Sequence, residues 1–132
     1  MTTTEAISLE GKIAFISGAS KGIGVEIARV LSEAGADLAL TARNQAELEQ
    51  TAEAARKLGV KVWTRTAEMG DADEVKALAD AVLAEFGRID VLVNNAGVAM
   101  HQLIFDVDVE TFHTVINVNL LAPLLLTQAF AP

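Results

Sequence analysis

Three glycines within seven residues, Gly18, Gly22 and Gly24, separate an apolar run from a second apolar pattern. The stretch from Ile13 to Gly24 reads Ile-Ala-Phe-Ile-Ser-Gly-Ala-Ser-Lys-Gly-Ile-Gly, and Ile23, Ile27, Val30 and Leu31 then recur at helical spacing. Strand, glycine turn and helix in that order make a phosphate cradle. Glycine lets backbone N–H groups approach a pyrophosphate, and the helix start behind it adds unpaired donors and a partial positive charge. A plain strand-to-helix turn also favours glycine, and the spacing is not the G-x-G-x-x-G of the common dinucleotide fingerprint. Other chemistry is sparse. Without cysteine there is no thiolate nucleophile, disulfide framework or zinc finger. His101 and His113 share no ligand spacing and read as loop or helix surface, so no metal site is expected. Asp106, Asp108 and Glu110 stand just before a helix, where acids suit the N-terminus, and Trp63 reads as packing.

The elements that would position these residues alternate regularly. Strands are expected at Ile13 to Ser17, Asp37 to Thr41, Val60 to Thr66 and Ile89 to Val93, the third at an edge. Helices are expected from about Gly22 to Ala34, Gln45 to Leu58, Asp71 to Phe86 and Val109 to Phe130, with Gly35, Gly59 and Gly87 closing the first three. Asp71 followed by Glu74 has the pattern of a capping box. Four strands alternating with helices predict an α/β, doubly wound parallel sheet of Rossmann type built from right-handed crossovers. One domain spans residues 1–132, with residues 1–10 as a polar lead.

A chain of 132 residues buries roughly two thirds of its unfolded surface, and 52% hydrophobic residues place it among globular proteins. Ten basic against eighteen acidic side chains give a formal charge of −8, which argues against nucleic acid held on a basic face. The N-terminus lacks the pattern of a signal peptide, so a cytoplasmic protein is expected. The run Leu120 to Leu126 contains Pro123 and is too short to span a bilayer, so no membrane partner is expected.

Four features taken together carry a resemblance: Gly18-Ala-Ser-Lys-Gly22-Ile-Gly24 after the first strand, Asn94-Asn95-Ala96-Gly97 after the fourth, Asn119 in Val118-Asn119-Leu120, and their order. From about Leu9 to Pro132 the chain resembles the N-terminal half of a classical short-chain dehydrogenase/reductase. The resemblance implies strand order 3-2-1-4, ending before a fifth strand. It implies that Gly18, Ser20, Lys21, Gly22, Ile23 and Gly24 wrap the cofactor phosphates, and that Asn95, Ala96 and Gly97 lie against the cofactor ribose. Asn119 matches the helix asparagine that helps position a water in a proton relay with the catalytic lysine; Asn117 falls about 200° around the helix from it. Glu68, followed by Met69, stands where the family usually places an aspartate against the adenine edge.

Cofactor choice follows from charge. A carboxylate ending the second strand would accept hydrogen bonds from the adenosine ribose and favour NAD. Here that position is Ala42, followed by Arg43, while Lys21 sits in the glycine turn. Two cations could reach a 2′-phosphate where no anion opposes it, so NADP(H) is expected over NAD(H).

The family's hydride transfer uses a serine, and a tyrosine four residues before a lysine, after the next strand. This chain contains no tyrosine. One reading is the cofactor-binding N-terminal portion of an NADP(H)-dependent oxidoreductase, not catalytic alone. The alternative is a stand-alone dinucleotide-binding or self-associating module. Strand order 3-2-1-4 leaves the fourth strand at an open edge, and Leu120, Leu121, Leu124, Leu125 and Leu126 make the last helix apolar nearly all round. A homo-oligomer through that helix or edge is therefore expected.

Overall fold

The computed structural model describes residues 7–132; the expectation of a polar lead lies, for residues 1–6, outside the described residues. Beyond them the lead is not merely polar. Leu9 N–H donates to the Ala34 carbonyl at 2.8 Å, and the Leu9 side chain packs against the core.

Four parallel strands, β1 (Ile13–Ser17), β2 (Asp37–Ala42), β3 (Val62–Thr66) and β4 (Val91–Val93), lie in the order β3-β2-β1-β4. Register pairs Phe15 with Ala39 on one side and with Leu92 on the other. Helices α1 (Gly22–Glu33), α2 (Gln45–Arg56), α3 (Ala72–Phe86) and α4 (Val109–Phe130) complete the fold. Strand side chains alternate between two cores, as a pleat with helices on both faces requires. Ala14, Ile16, Leu38 and Leu40 meet Ala28 of α1 and Leu48, Ala52 and Ala55 of α2. Phe15 and Ala39 meet Val75, Leu78 and Val82 of α3 and Val118, Ala122, Leu126 and Phe130 of α4. The rings of Phe15 and Phe130 lie 5.3 Å apart, and Trp63 packs on the same side.

Two strands are shorter than expected. β3 begins at Val62, and β4 at Val91, because the carboxylates of Asp37 and Asp90 take over the pairing just before them. Asp37 Oδ1 accepts from Lys61 N–H at 2.9 Å, and Asp90 Oδ2 accepts from Ile13 N–H at 2.8 Å. That bond, with Arg88 beside it, holds the Asp90 carboxyl below its usual range. Half of the expected capping box forms: Asp71 accepts from Asp73 and Glu74 N–H, but its own N–H goes to the Glu68 carbonyl. Gly87 ends α3 in the left-handed region at φ 80.

Helix α4 carries a π turn at Asn117–Leu121, in which Ala122 N–H reaches back to the Asn117 carbonyl. The turn sits where Pro123 has no N–H to give the carbonyl of Asn119, its regular α-helical partner. Because the helix continues through it, α4 runs 22 residues and is long and apolar enough to cross a membrane by length and composition. Measuring the Leu120 to Leu126 run alone missed this. One stripe of α4, Val118, Ala122, Leu126 and Phe130, is core; another, Phe112, Ile116, Leu120 and Leu124, is exposed.

Candidate functional site

Strand order reverses between β1, which is followed by β2, and β4, which lies on its other side. In open α/β sheets, ligands bind in the crevice outside the carboxyl ends of the strands at such a point. A cleft of about 610 Å³ opens here. Its wall is formed by the turn after β1 (Gly18, Ser20, Lys21), the end of β2 (Thr41 to Asn44, with Glu47), residues 67–69 after β3, residues 95–98 after β4, and Val118.

The turn after β1 is fixed from below by contacts between strand ends. Ser17 Oγ, buried, accepts from Asn95 N–H at 3.1 Å and Ala96 N–H at 2.9 Å. Asn95 Nδ2 donates to the Gly18 carbonyl at 3.1 Å, and Ala19 N–H to the Thr41 carbonyl at 3.1 Å. The close approach leaves no room for a side chain at Gly18 or Gly24. Gly18 is left-handed, at φ +64, and a Cβ there would lie 2.9 Å from Asn95 Nδ2. A Cβ on Gly24 would lie 2.2 Å from the Gly18 carbonyl oxygen, so α1 can start against the turn only with glycine there.

Helix capping differs at this point. Asn44 caps α2, Asp71 caps α3 and Asp108 caps α4, each accepting first-turn N–H bonds. The Asp108 carboxyl is held low chiefly by the bond from Thr111 N–H. Among the described residues α1 alone starts without such a cap: its N-cap is Lys21, with no side-chain bond and no acidic residue in the first turn. The cleft therefore meets, at Lys21, the start of a helix that no side chain caps and whose dipole favours an anion.

The expected site residues separate into two groups. Gly18, Ser20, Lys21, Arg43, Glu68, Met69, Asn95, Ala96 and Gly97 line the cleft. Gly22, Ile23, Gly24 and Asn119 do not. Gly22 turns the chain into α1 at φ 55, Gly24 permits close packing, and Ile23 points to solvent, 73% exposed. The carboxamide of Asn119 is fully engaged with one residue of the loop after β4: Oδ1 accepts from Val98 N–H at 2.9 Å and Nδ2 donates to the Val98 carbonyl at 2.7 Å. Glu68 Oε1 accepts from Gly70 N–H at 3.3 Å.

The two cations also differ. Arg43 is exposed and makes no ion pair among the described residues. Lys21 has an anion beside it that the sequence reading did not include: its Nζ lies 3.6 Å from Glu47 Oε2. Ser17, Thr41 and Glu47 were not read as site residues, since no local pattern marks them. Thr41 is buried and donates through Oγ1 to the Arg65 carbonyl at 2.7 Å, fixing the strand end that presents Arg43.

A glycine-lined, cation-edged crevice at the switch point of a 3-2-1-4 parallel sheet defines a nucleotide-binding α/β fold. The sequence profile described as short chain dehydrogenase matches residues 12–132. The chain belongs to the short-chain dehydrogenase/reductase family of oxidoreductases. It is 40% identical over 122 residues to an uncharacterized oxidoreductase of Methylorubrum extorquens, covering 92% of this chain and 49% of that protein. A metagenomic short-chain oxidoreductase solved in complex with NADP superposes with TM-score 0.89 at 40% identity, over 94% of this chain and 57% of that one. The L-sorbose reductase of Gluconobacter frateurii, solved with NADPH and L-sorbose, gives TM-score 0.91 at 31% identity, over 96% and 48%. The chain spans about half the length of the relatives it matches.

Proposed function

We propose that this chain is the cofactor-binding N-terminal portion of an NADP(H)-dependent short-chain oxidoreductase, cytoplasmic and acting on an alcohol or carbonyl in the whole protein. The observation that carries the reading is the uncapped start of α1 facing a cleft edged by Arg43 and Lys21. Gly18 and Ser20 would hold the pyrophosphate by backbone N–H groups, with the α1 dipole behind them. Arg43 would hold the 2′-phosphate; Ala42, at the end of β2, sets no carboxylate against it. Asn95, Ala96 and Gly97 would lie along the ribose, and Glu68 and Met69 beside the adenine. Bound NADP(H) supplies hydride-transfer chemistry. This chain has no tyrosine to act as the acid, so it binds and orients without catalysing. Asn119 would act through its backbone carbonyl, which Pro123 leaves without its regular donor and able to hold a water.

Calorimetric titration tests the reading. NADPH should bind more tightly than NADH, and Arg43→Ala should weaken NADPH roughly tenfold. An equal or reversed preference refutes it.

A second reading, a self-associating module, draws support from the exposed stripe Phe112, Ile116, Leu120 and Leu124 and from Leu103, Ile104 and Phe105 nearby, Phe105 being 95% exposed. β4 adds an edge, pairing with β1 alone, and its three residues are only partly buried. Patches of this kind mark association surfaces. Sedimentation at micromolar concentration should give a dimer or larger; a monomer refutes it.

A further inference from the structure

We infer that Glu47 sets the cofactor preference of this site by withholding Lys21 from the 2′-phosphate, so that the cleft's selectivity is held below what its two cations could give. The inference rests on the NADP(H) reading above.

Glu47 stands three residues after Asn44, the cap of α2, where a capping-box glutamate would turn back onto the cap's N–H. Its backbone does its part, donating to Asn44 Oδ1 at 3.0 Å. Its carboxylate does not close the box. Oε2 is shielded from solvent, has no hydrogen-bond partner and lies 3.6 Å from Lys21 Nζ, across the gap between the glycine turn and α2. The Glu47 side chain as a whole is 36% exposed, and the lysine ammonium is the cation nearest to its shielded oxygen among the described residues.

Lys21, Arg43 and Glu47 all line the cleft beside the end of β2. Their summed charge is +1, where the cations alone would give +2. A phosphate monoester brings about −1.5 to −2 and meets a lysine already matched, together with a carboxylate that repels it. A 2′-hydroxyl carries no charge and is nearly indifferent to both. Glu47 therefore opposes NADP(H) selectively.

The pair can also open. The Lys21 side chain is 78% exposed and free to turn. Glu47 borders a second hollow of about 210 Å³ between α1 and α2, beside Ser20, Arg29 and Gln50. That hollow gives the carboxylate a place to go when Lys21 swings to a phosphate. Glu47 is thus a positioning residue acting through Lys21, not a group that touches the cofactor.

The test is titration of NADPH and NADH into the full 132-residue chain, as the parent, Glu47→Gln, Lys21→Gln and the double variant. Glu47→Gln should tighten NADPH about three- to tenfold, leave NADH within about twofold, and lose this gain in the Lys21→Gln background. Glu47→Ala, which keeps the N–H that Asn44 holds, replaces Glu47→Gln if that variant does not fold. A parent preference for NADPH that neither variant changes overturns the inference alone. So does a gain that survives in full without Lys21, or one shared equally by NADH. No preference for NADPH in any of the four chains overturns the NADP(H) reading and the inference with it.

Discussion

Gly24→Ala sets two ordinary effects against each other, and the geometry decides between them. Alanine is the better helix former by about 1 kcal/mol in a helix interior, and less than that near a helix start, so propensity alone predicts a stabilised α1. The added Cβ would lie 2.2 Å from the Gly18 carbonyl oxygen, 2.8 Å from Asn95 Nδ2 and 3.0 Å from the Gly18 carbonyl carbon. Ordinary carbon contacts begin near about 3.5 Å, and two of the three obstructing atoms are backbone. No rotamer of alanine clears them; either α1 moves off the turn or the Cβ pushes apart the 3.1 Å bond from Asn95 Nδ2 to Gly18 O, which it meets at both ends.

Overpacking of this kind costs about 1–3 kcal/mol, and a backbone obstruction belongs at the upper end. Less the propensity gain, the net loss is about 2 kcal/mol, or roughly 6–10 °C in Tm for a domain of this length. Gly87→Ala is the control: its Cβ would meet nothing within 4 Å, so only the left-handed φ of 80 is strained, at about 1 kcal/mol. Urea denaturation of both variants, with the Asn95 side-chain amide followed by NMR, separates the effects. The amide resonances should shift in Gly24→Ala and stay in place in Gly87→Ala. A Gly24→Ala midpoint at or above the parent's refutes the close approach.

Three further outcomes follow from the strand-end contacts. Ser17→Ala leaves Ala96 N–H without its partner, while Asn95 N–H keeps the Val93 carbonyl at 3.1 Å, so denaturation should show a loss of about 1–2 kcal/mol. Asn119→Ala frees both polar groups of Val98, and hydrogen exchange at the Val98 amide should accelerate; Asn119→Asp should be worse, since it turns a carboxylate oxygen toward the Val98 carbonyl. Asp90 titrates below an unfolded aspartate, chiefly because of the Ile13 N–H bond, so its contribution is complete above about pH 5 and is lost as pH falls through the folded value. Asp90→Asn should flatten the decline of the denaturation midpoint between about pH 5 and pH 2; an unchanged slope counts against that bond.

What was legible in the sequence is what short-range physics writes there. The alternation of strands and helices, the glycine stops and the order 3-2-1-4 follow from periodicity, breakers and a family resemblance, and the sheet has that order. Strand starts at Val62 and Val91 were misplaced because side-chain carboxylates, of Asp37 in β2 and of Asp90 just before β4, take ladder N–H groups at these ends. The π turn in α4 was missed because helical periodicity carries no signal for a shifted hydrogen-bond register, although Pro123 was there to suggest one.

The misses at the site share one cause. Ser17 is silent in sequence because its partners, Asn95 and Ala96, follow a strand that becomes a neighbour only through the crossover from β3 back past β1. Glu47 carries no mark in the sequence because its partner is in a different turn, and it places an anion beside Lys21. Both lie where β1, β2 and β4 bring their carboxyl ends together. A switch point gathers residues from segments far apart in the chain, so the place best suited to bind a ligand is also the place where local sequence patterns say least about which side chains meet. Residue types there can be read in advance; their pairing, and with it the net charge that a cofactor meets, depends on the fold.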